Sequence, residues 1–208
     1  MAVHIVDHPL VRHKLSILRE AATPCGVFRT VASEIGILLA YEATRDLKTE
    51  PYEGMGWAGP VKLEQISGKK LTVVPVLRAG IGLMNGVISL MPGAKVSVIG
   101  LARDEETLQP VEYCVKLAKD IAHRRALLLD PMLATGGSLA AAAAILKRAG
   151  CRDIKSLNLV CAPEGIARME REHPDVDIYT AAVDERLNEQ GYILPGLGDA
   201  GDRIFGTR

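Results

Sequence analysis

The chain has 208 residues with Lys+Arg and Asp+Glu balanced at 25 each, so its formal net charge is zero. That balance excludes a broad surface for nucleic acid or for anionic membrane, since either needs a surplus of cations. Aromatic residues at 4% are too few for a protein that stacks the bases of a single strand, and the length predicts a single domain over residues 1–208.

The four cysteines (Cys25, Cys114, Cys151, Cys161) are too sparse for a disulfide scaffold and form no C-x-x-C pair. The N-terminal MAVHIVDHPLVRHKL has no uninterrupted apolar stretch and does not read as a signal peptide. No window approaches a membrane span. The expectation is a protein of the reducing cytoplasm.

In chain order, Pro9 and the spacing of Leu10, Val11, Leu15 and Leu18 predict a helix over 8–20. A second helix is expected from about Phe28 to Asp46. Glycines and prolines then puncture 48–70, which predicts a short hairpin or irregular excursion. LTVVPVL is an apolar strand followed by RAGIG and a helix, IGLMNGVISLM. KVSVIGLAR is a second strand. The polar segment 104–115 has some alternation, and it predicts an arm over the site or a contact between subunits. HRRALLLD is a third strand, followed by PMLATGGS and the helix SLAAAAAILKRAG, with Gly150 as its stop. IKSLNLVCAP, the helix EGIARMEREH and the strand VDIYTAAVD follow. Continuous apolar strands alternating with helices predict an α/β fold with a parallel sheet buried on both faces.

Ligands of such sheets sit beyond the carboxyl ends of the strands. The richest of those turns is LLLDPMLATGGSLAAAA, residues 127–143. The strand ends in Asp130, and Pro131, Met132, Leu133 and Ala134 lead to Thr135, Gly136, Gly137 and Ser138, where a helix starts. Two glycines let successive N–H groups face one concavity, and the helix N-terminus adds unsatisfied donors and partial positive charge. Thr135 and Ser138 add hydroxyls. The result is a cup for a phosphate monoester, beside a carboxylate suited to sugar hydroxyls. Thr-Gly-Gly-Ser alone would be a tight turn capped by Ser138; the strand, Asp130 and the helix favour a ribose 5-phosphate. The GxxxxGK[ST] spacing of a P-loop is missing.

Strand–DPMLATGGS–helix resembles the phosphoribosyl-pyrophosphate (PRPP) loop of type I phosphoribosyltransferases. Most members have two adjacent acidic residues there; Pro131 in the second place is a departure shared by the uracil-specific branch. The segment NEQGYILPGLGDAGDRIFGT is that branch's other hallmark. With HPLVRHKL, YEATRDL, VPVLRAGIGLM and VCAPEGI, the whole chain resembles bacterial uracil phosphoribosyltransferases. The resemblance implies that uracil and PRPP give UMP and diphosphate, with Mg²⁺ carried mainly on PRPP and diphosphate oxygens. No carboxylate cluster suggests a metal cage in the protein.

Further roles follow from the same resemblance. Arg78 and Arg103, each at a strand end, become diphosphate contacts, a use that suits the planar guanidinium. Ala79 and Gly80 beside Arg78 permit close backbone approach. Ile193, Gly198, Asp199 and Ala200 form the uracil site, and Asp199 also contacts the donor. Backbone groups there can read the carbonyl, N–H and carbonyl of one uracil edge and reject cytosine. Tyr192 either flanks the base or is a plain core tyrosine. Arg78 and Asp199 are the catalytic candidates; Asp199 is nearest to a general base, a role left open against a positional one. The resemblance also implies a homo-oligomer and, in several members, a GTP effector, for which no site can be indicated. Two other readings remain. RAGIGLMNG approximates a dinucleotide fingerprint, which would suit an NADP-type oxidoreductase. A regulator on the same fold could sense nucleotides without turnover.

Overall fold

The strands of the central sheet alternate between two cores. Val73, Leu127, Leu129, Leu157 and Leu159 face one apolar cluster, and Val74, Val76, Leu128 and Ile154 face the other. This is the two-residue period of a strand buried on both sides.

The computed structural model describes residues 1–68, 71–103 and 110–207. In chain order come β1 (Val3–Ile5), α1 (Pro9–Arg19), α2 (Cys25–Ala43), β2 (Thr49–Gly56), β3 (Gly59–Ile66), β4 (Leu71–Leu77), α3 (Ile81–Leu90), β5 (Lys95–Val96), β6 (Val98–Arg103), β7 (Pro110–Lys116) and β8 (Arg125–Leu129). There follow β9 (Met132–Leu133), α4 (Gly137–Arg148), β10 (Asp153–Cys161), α5 (Pro163–Glu172), β11 (Asp177–Val183), β12 (Arg186–Leu187), β13 (Ile193–Leu194) and α6 (Ala200–Phe205).

The sheet runs β1-β11-β10-β8-β4-β6-β7, with β5 on β4 and β9 on β10. Its pairings are parallel except for β6 with β7. From β4 the chain steps outward to β6; from β8 it returns past β4 and steps the other way to β10 and β11. The β4/β8 boundary is therefore the topological switch point, where a ligand crevice opens beyond the strand ends. Helices α1, α2, α3 and α6 cover one face, and α4 and α5 the other. The crossing of α2 and α3 is close because a Cβ on Gly86 would lie 2.1 Å from the Ser33 carbonyl.

The expected α/β class and parallel sheet are found. KVSVIGLAR is not one strand. It breaks at Ser97, whose buried hydroxyl accepts the Ala118 N–H at 2.9 Å and sits 3.3 Å from the Thr72 hydroxyl. Within the excursion expected at 48–70, residues 49–66 form an antiparallel β2–β3 hairpin, and 69–70 lie outside the described residues. In the segment 104–115, residues 104–109 lie outside the described residues; Pro110 begins β7, which covers the outer edge of β6. Gly150 has a φ of 88° and closes the end of α4 as anticipated.

Candidate active site

The switch point supplies the first side of the site. β8 ends at Leu129, and Asp130 follows at the crevice. β9 then resumes pairing beside β10, where the Leu133 carbonyl accepts the Ala162 N–H at 2.8 Å. Pro131 and Leu133 turn into the core, so they can offer a ligand only backbone, whereas Met132, Ala134 and Thr135 are partly open. A cavity of about 150 Å³ is lined by Asp130 and by residues 132–139. Gly136 caps α4 in the left-handed region with φ 78°, and no side chain closes the first turn. Ser138 is exposed inside that turn and is not the N-cap. The N–H groups of the turn are therefore left to face the cavity.

The loop is held from behind. A Cβ on Gly165 of α5 would lie 2.4 Å from the Ala134 carbonyl, so α5 packs directly under the turn. No expectation from sequence had named this support, although VCAPEGI carries the glycine.

Asp130 faces the cleft with the Met132 N–H 3.4 Å away, a long and weak contact. Burial pushes its carboxyl up to about 7. Hydrogen-bond donors from a ligand would favour its charged form.

Arg78 follows β4 through a cis Leu77–Arg78 peptide bond. Its guanidinium is 3.7 Å from Asp202 and 5.7 Å from the centre of the Phe205 ring, and its side chain is 60% exposed. Gly80, two residues on, also has a packing reason. A Cβ on Gly80 would meet the Leu129 carbonyl at 2.3 Å, so packing of this turn on β8 demands it. Arg103 closes β6, the neighbour of β4, at the same end of the sheet.

The C-terminal segment supplies the opposite wall. β12 and β13 form a small antiparallel ladder. Around it the Tyr192 carbonyl accepts the Asn188 N–H at 2.8 Å and the Leu194 carbonyl accepts the Glu185 N–H at 2.9 Å. Ile193, between those bonded positions, turns its own N–H and C=O away from β12. Gly198 has a φ of 69°, and Asp199 caps α6 by accepting the Asp202 N–H at 2.9 Å. Ala200 is buried, and Tyr192 is exposed, which sets aside its reading as a core residue.

These walls meet in one cleft of about 330 Å³ lined by Arg78, Asp130, Met132 and Ala134 on one side and by Tyr192, Ile193 and residues 198–201 on the other. The sequence-derived candidates Arg78, Asp130, Ile193, Gly198, Asp199 and Ala200 are brought together there. Sequence reasoning missed Arg19, Asp184 and Arg203, which hold the C-terminal wall. An ion pair that closes across 165 residues, between Arg19 and Asp184, leaves no local pattern to read.

At the switch point of the parallel sheet, a small cup before α4, a strand-end arginine and a separate C-terminal wall thus face one another. The chain is similar in structure to adenine phosphoribosyltransferase from Trypanosoma brucei, solved with AMP, pyrophosphate and ribose-5-phosphate (TM-score 0.57, 13% identity, 86% of this chain and 81% of that one). It is likewise similar to hypoxanthine phosphoribosyltransferase from Trypanosoma cruzi (TM-score 0.50, 14% identity, 79% and 77%). These likenesses are of fold. The AQ2163 protein from Aquifex aeolicus matches far more fully, at 37% identity and TM-score 0.93 over 98% of this chain and 97% of that one. The family described as uracil phosphoribosyltransferase matches residues 5–207, and the chain belongs to it.

Proposed function

We propose that this phosphoribosyltransferase joins uracil to PRPP, giving UMP and diphosphate, in pyrimidine salvage. The observation that carries this reading is the single cleft in which Asp130, Arg78 and the 191–201 loop face one another. The cup at 132–139 receives the 5-phosphate on backbone N–H groups. Asp130 accepts from the ribose hydroxyls. Arg78, with Arg103 on the neighbouring strand, neutralises the diphosphate as it leaves, which lowers the barrier to a transition state with cationic character at the anomeric carbon. The outward peptide group of Ile193 and the backbone at Gly198–Ala200 read the base edge and hold it in line with that carbon. Asp199 is spent on capping α6 through one carboxylate oxygen, which supports a positional role next to the donor.

Mg²⁺ suits this donor set. Asp130 and Asp199 are hard oxygen donors on the cleft wall, and no group of three metal-ligating side chains converges among the described residues. An ion arriving on diphosphate and ribose oxygens would meet one or two carboxylates and keep its waters. Magnesium supplies charge neutralisation of the leaving diphosphate. The four cysteines are free thiols, in keeping with a reducing cytoplasm, and no described helix is long and apolar enough to cross a membrane.

The purified protein is expected to release diphosphate from PRPP only when uracil and Mg²⁺ are both present. Cytosine and hypoxanthine are expected to be poor substrates, and NADPH to remain unoxidised with candidate carbonyl substrates. The same assay with and without GTP tests the effector. Diphosphate release with a different base, or no turnover with any base, would overturn the assignment.

A further inference from the structure

The 184–201 segment is tied to the C-terminal end of α1 by two arginines, Arg19 of α1 and Arg203 of α6, neither of which lines the cleft. Arg19, the last residue of α1, donates Nη1 to Asp184 Oδ2 at 3.0 Å and to the Gly196 carbonyl at 3.0 Å, and Nη2 to Asp184 Oδ1 at 2.5 Å. Asp184 Oδ2 also accepts the Gly196 N–H at 2.9 Å. Both peptide groups of Gly196 are thus fixed, and the Asp184 side chain is only 4% exposed. Gly196 itself has a φ of 60°, and a Cβ there would meet the Ile193 carbonyl at 2.1 Å.

Arg203 does the same work one residue on. Its Nη1 donates to the Leu18 carbonyl at 2.6 Å and the Leu197 carbonyl at 2.9 Å, its Nη2 to the Glu20 carbonyl at 2.6 Å, and its guanidinium lies 4.3 Å from the centre of the Phe28 ring. The carbonyls at 18 and 20 belong to the end of α1, where helical acceptors run out. The clamped residues, Gly196 and Leu197, lie between Ile193 and Gly198–Ala200.

A site that reads its ligand with backbone atoms cannot be tuned by the side chains at the contact; its accuracy comes from whatever fixes the backbone. We propose that Arg19, Asp184 and Arg203 are positioning residues for the nucleobase, setting the spacing between the peptide group of Ile193 and the edge at Gly198–Ala200. The proposal rests on the reading of 191–201 as the base loop. The 5-phosphate cup, by contrast, is built on the β8–α4 turn and supported by α5.

Arg19→Gln, Arg19→Lys, Asp184→Asn and Arg203→Lys test it, with KM for uracil and KM for PRPP measured separately and thermal melting as a control for folding. Displacing the reading edge is expected to raise KM for uracil on the order of tenfold or more in Arg19→Gln, with KM for PRPP within about threefold of the parent. Arg19→Lys, which keeps the charge but loses the fork, is expected to fall between. Asp184→Asn combined with Arg19→Gln is expected to be no worse than Arg19→Gln alone, because it removes the stranded buried carboxylate. Amide exchange gives a readout that needs no turnover: amides 193–201 are expected to exchange faster in the variants while 133–138 stay unchanged. A parallel rise of both KM values, or unchanged KM for uracil with unchanged exchange, would overturn the proposal. Absence of uracil turnover in the parent protein would instead count against the base reading, and the exchange measurement would still decide the clamp.

Discussion

At the scale of single residues, Asp130 carries the sharpest expectation. Its carboxyl titrates near 7 because burial disfavours the charge. In the unfolded chain the same group ionises near 4. Below about pH 4 both states are protonated and the group costs nothing. As pH rises from about 4 to about 7, the unfolded chain loses the proton first, so stability falls across that window and levels off above it. Asp130→Asn removes this penalty: the variant is expected to match the parent near pH 4 and to exceed it by about 4 kcal/mol near pH 8, read from denaturant melts. Function moves the opposite way. Ribose hydroxyls favour the ionised form, so PRPP affinity in the parent is expected to tighten as pH rises through about 7 and to lose that dependence in Asp130→Asn. Identical pH slopes of stability in the two proteins would remove the premise. Asp130 was legible because a charged residue ends an apolar strand. Arg19, Asp184 and Arg203 were not, because their partners are distant backbone carbonyls and each other.

At the scale of elements, the turn before α4 separates two glycines that look alike in the sequence. Gly136 has a φ of 78°, and a Cβ there would lie 3.0 Å from the Gly165 carbonyl. A Cβ on Gly137 would meet chiefly the movable guanidinium of Arg168 at 3.2 Å. Gly136→Ala is therefore expected to cost about 1–2 kcal/mol of stability and to weaken PRPP binding at least about tenfold as the N–H groups are displaced. Gly137→Ala, at the first position of a helix, is expected to leave both nearly unchanged. Melts and calorimetric titration with PRPP check the pair, and equal losses would mean that the turn is not held as described. Strands such as β4, β8, β10 and β11 were readable because each is a run of apolar residues bounded by turns. β1, β12, β13 and α6 escaped, since two or three residues give no periodicity and six barely exceed one helical turn. Only the Asp199 cap and Gly206, with φ 69°, mark the ends of α6.

At the scale of the whole molecule, the balanced charge and the anionic donor are compatible because the ligand's charge is met locally. On the proposed reading, backbone N–H groups at one strand end and arginine at another hold it without changing the net count. What remains unaccounted for is the β2–β3 hairpin, a two-stranded sheet with no further strand paired to it among the described residues. A lone hairpin is marginal in water, yet this one leaves Trp57 fully exposed and Met55 78% exposed, with Tyr52 and Val61 also open. Exposed apolar side chains on such an element are the kind of surface at which proteins associate. The homo-oligomer expected from the sequence makes a second copy of the chain the partner to test for here. Sedimentation or light scattering at micromolar concentration is expected to give a mass of at least two chains. The double variant Met55→Ser and Trp57→Ser is expected to shift it toward the monomer, with circular dichroism of the α/β body unchanged, since neither residue belongs to the two cores. A monomeric parent, or a variant that keeps the parent's mass, would show that the hairpin does not join the copies.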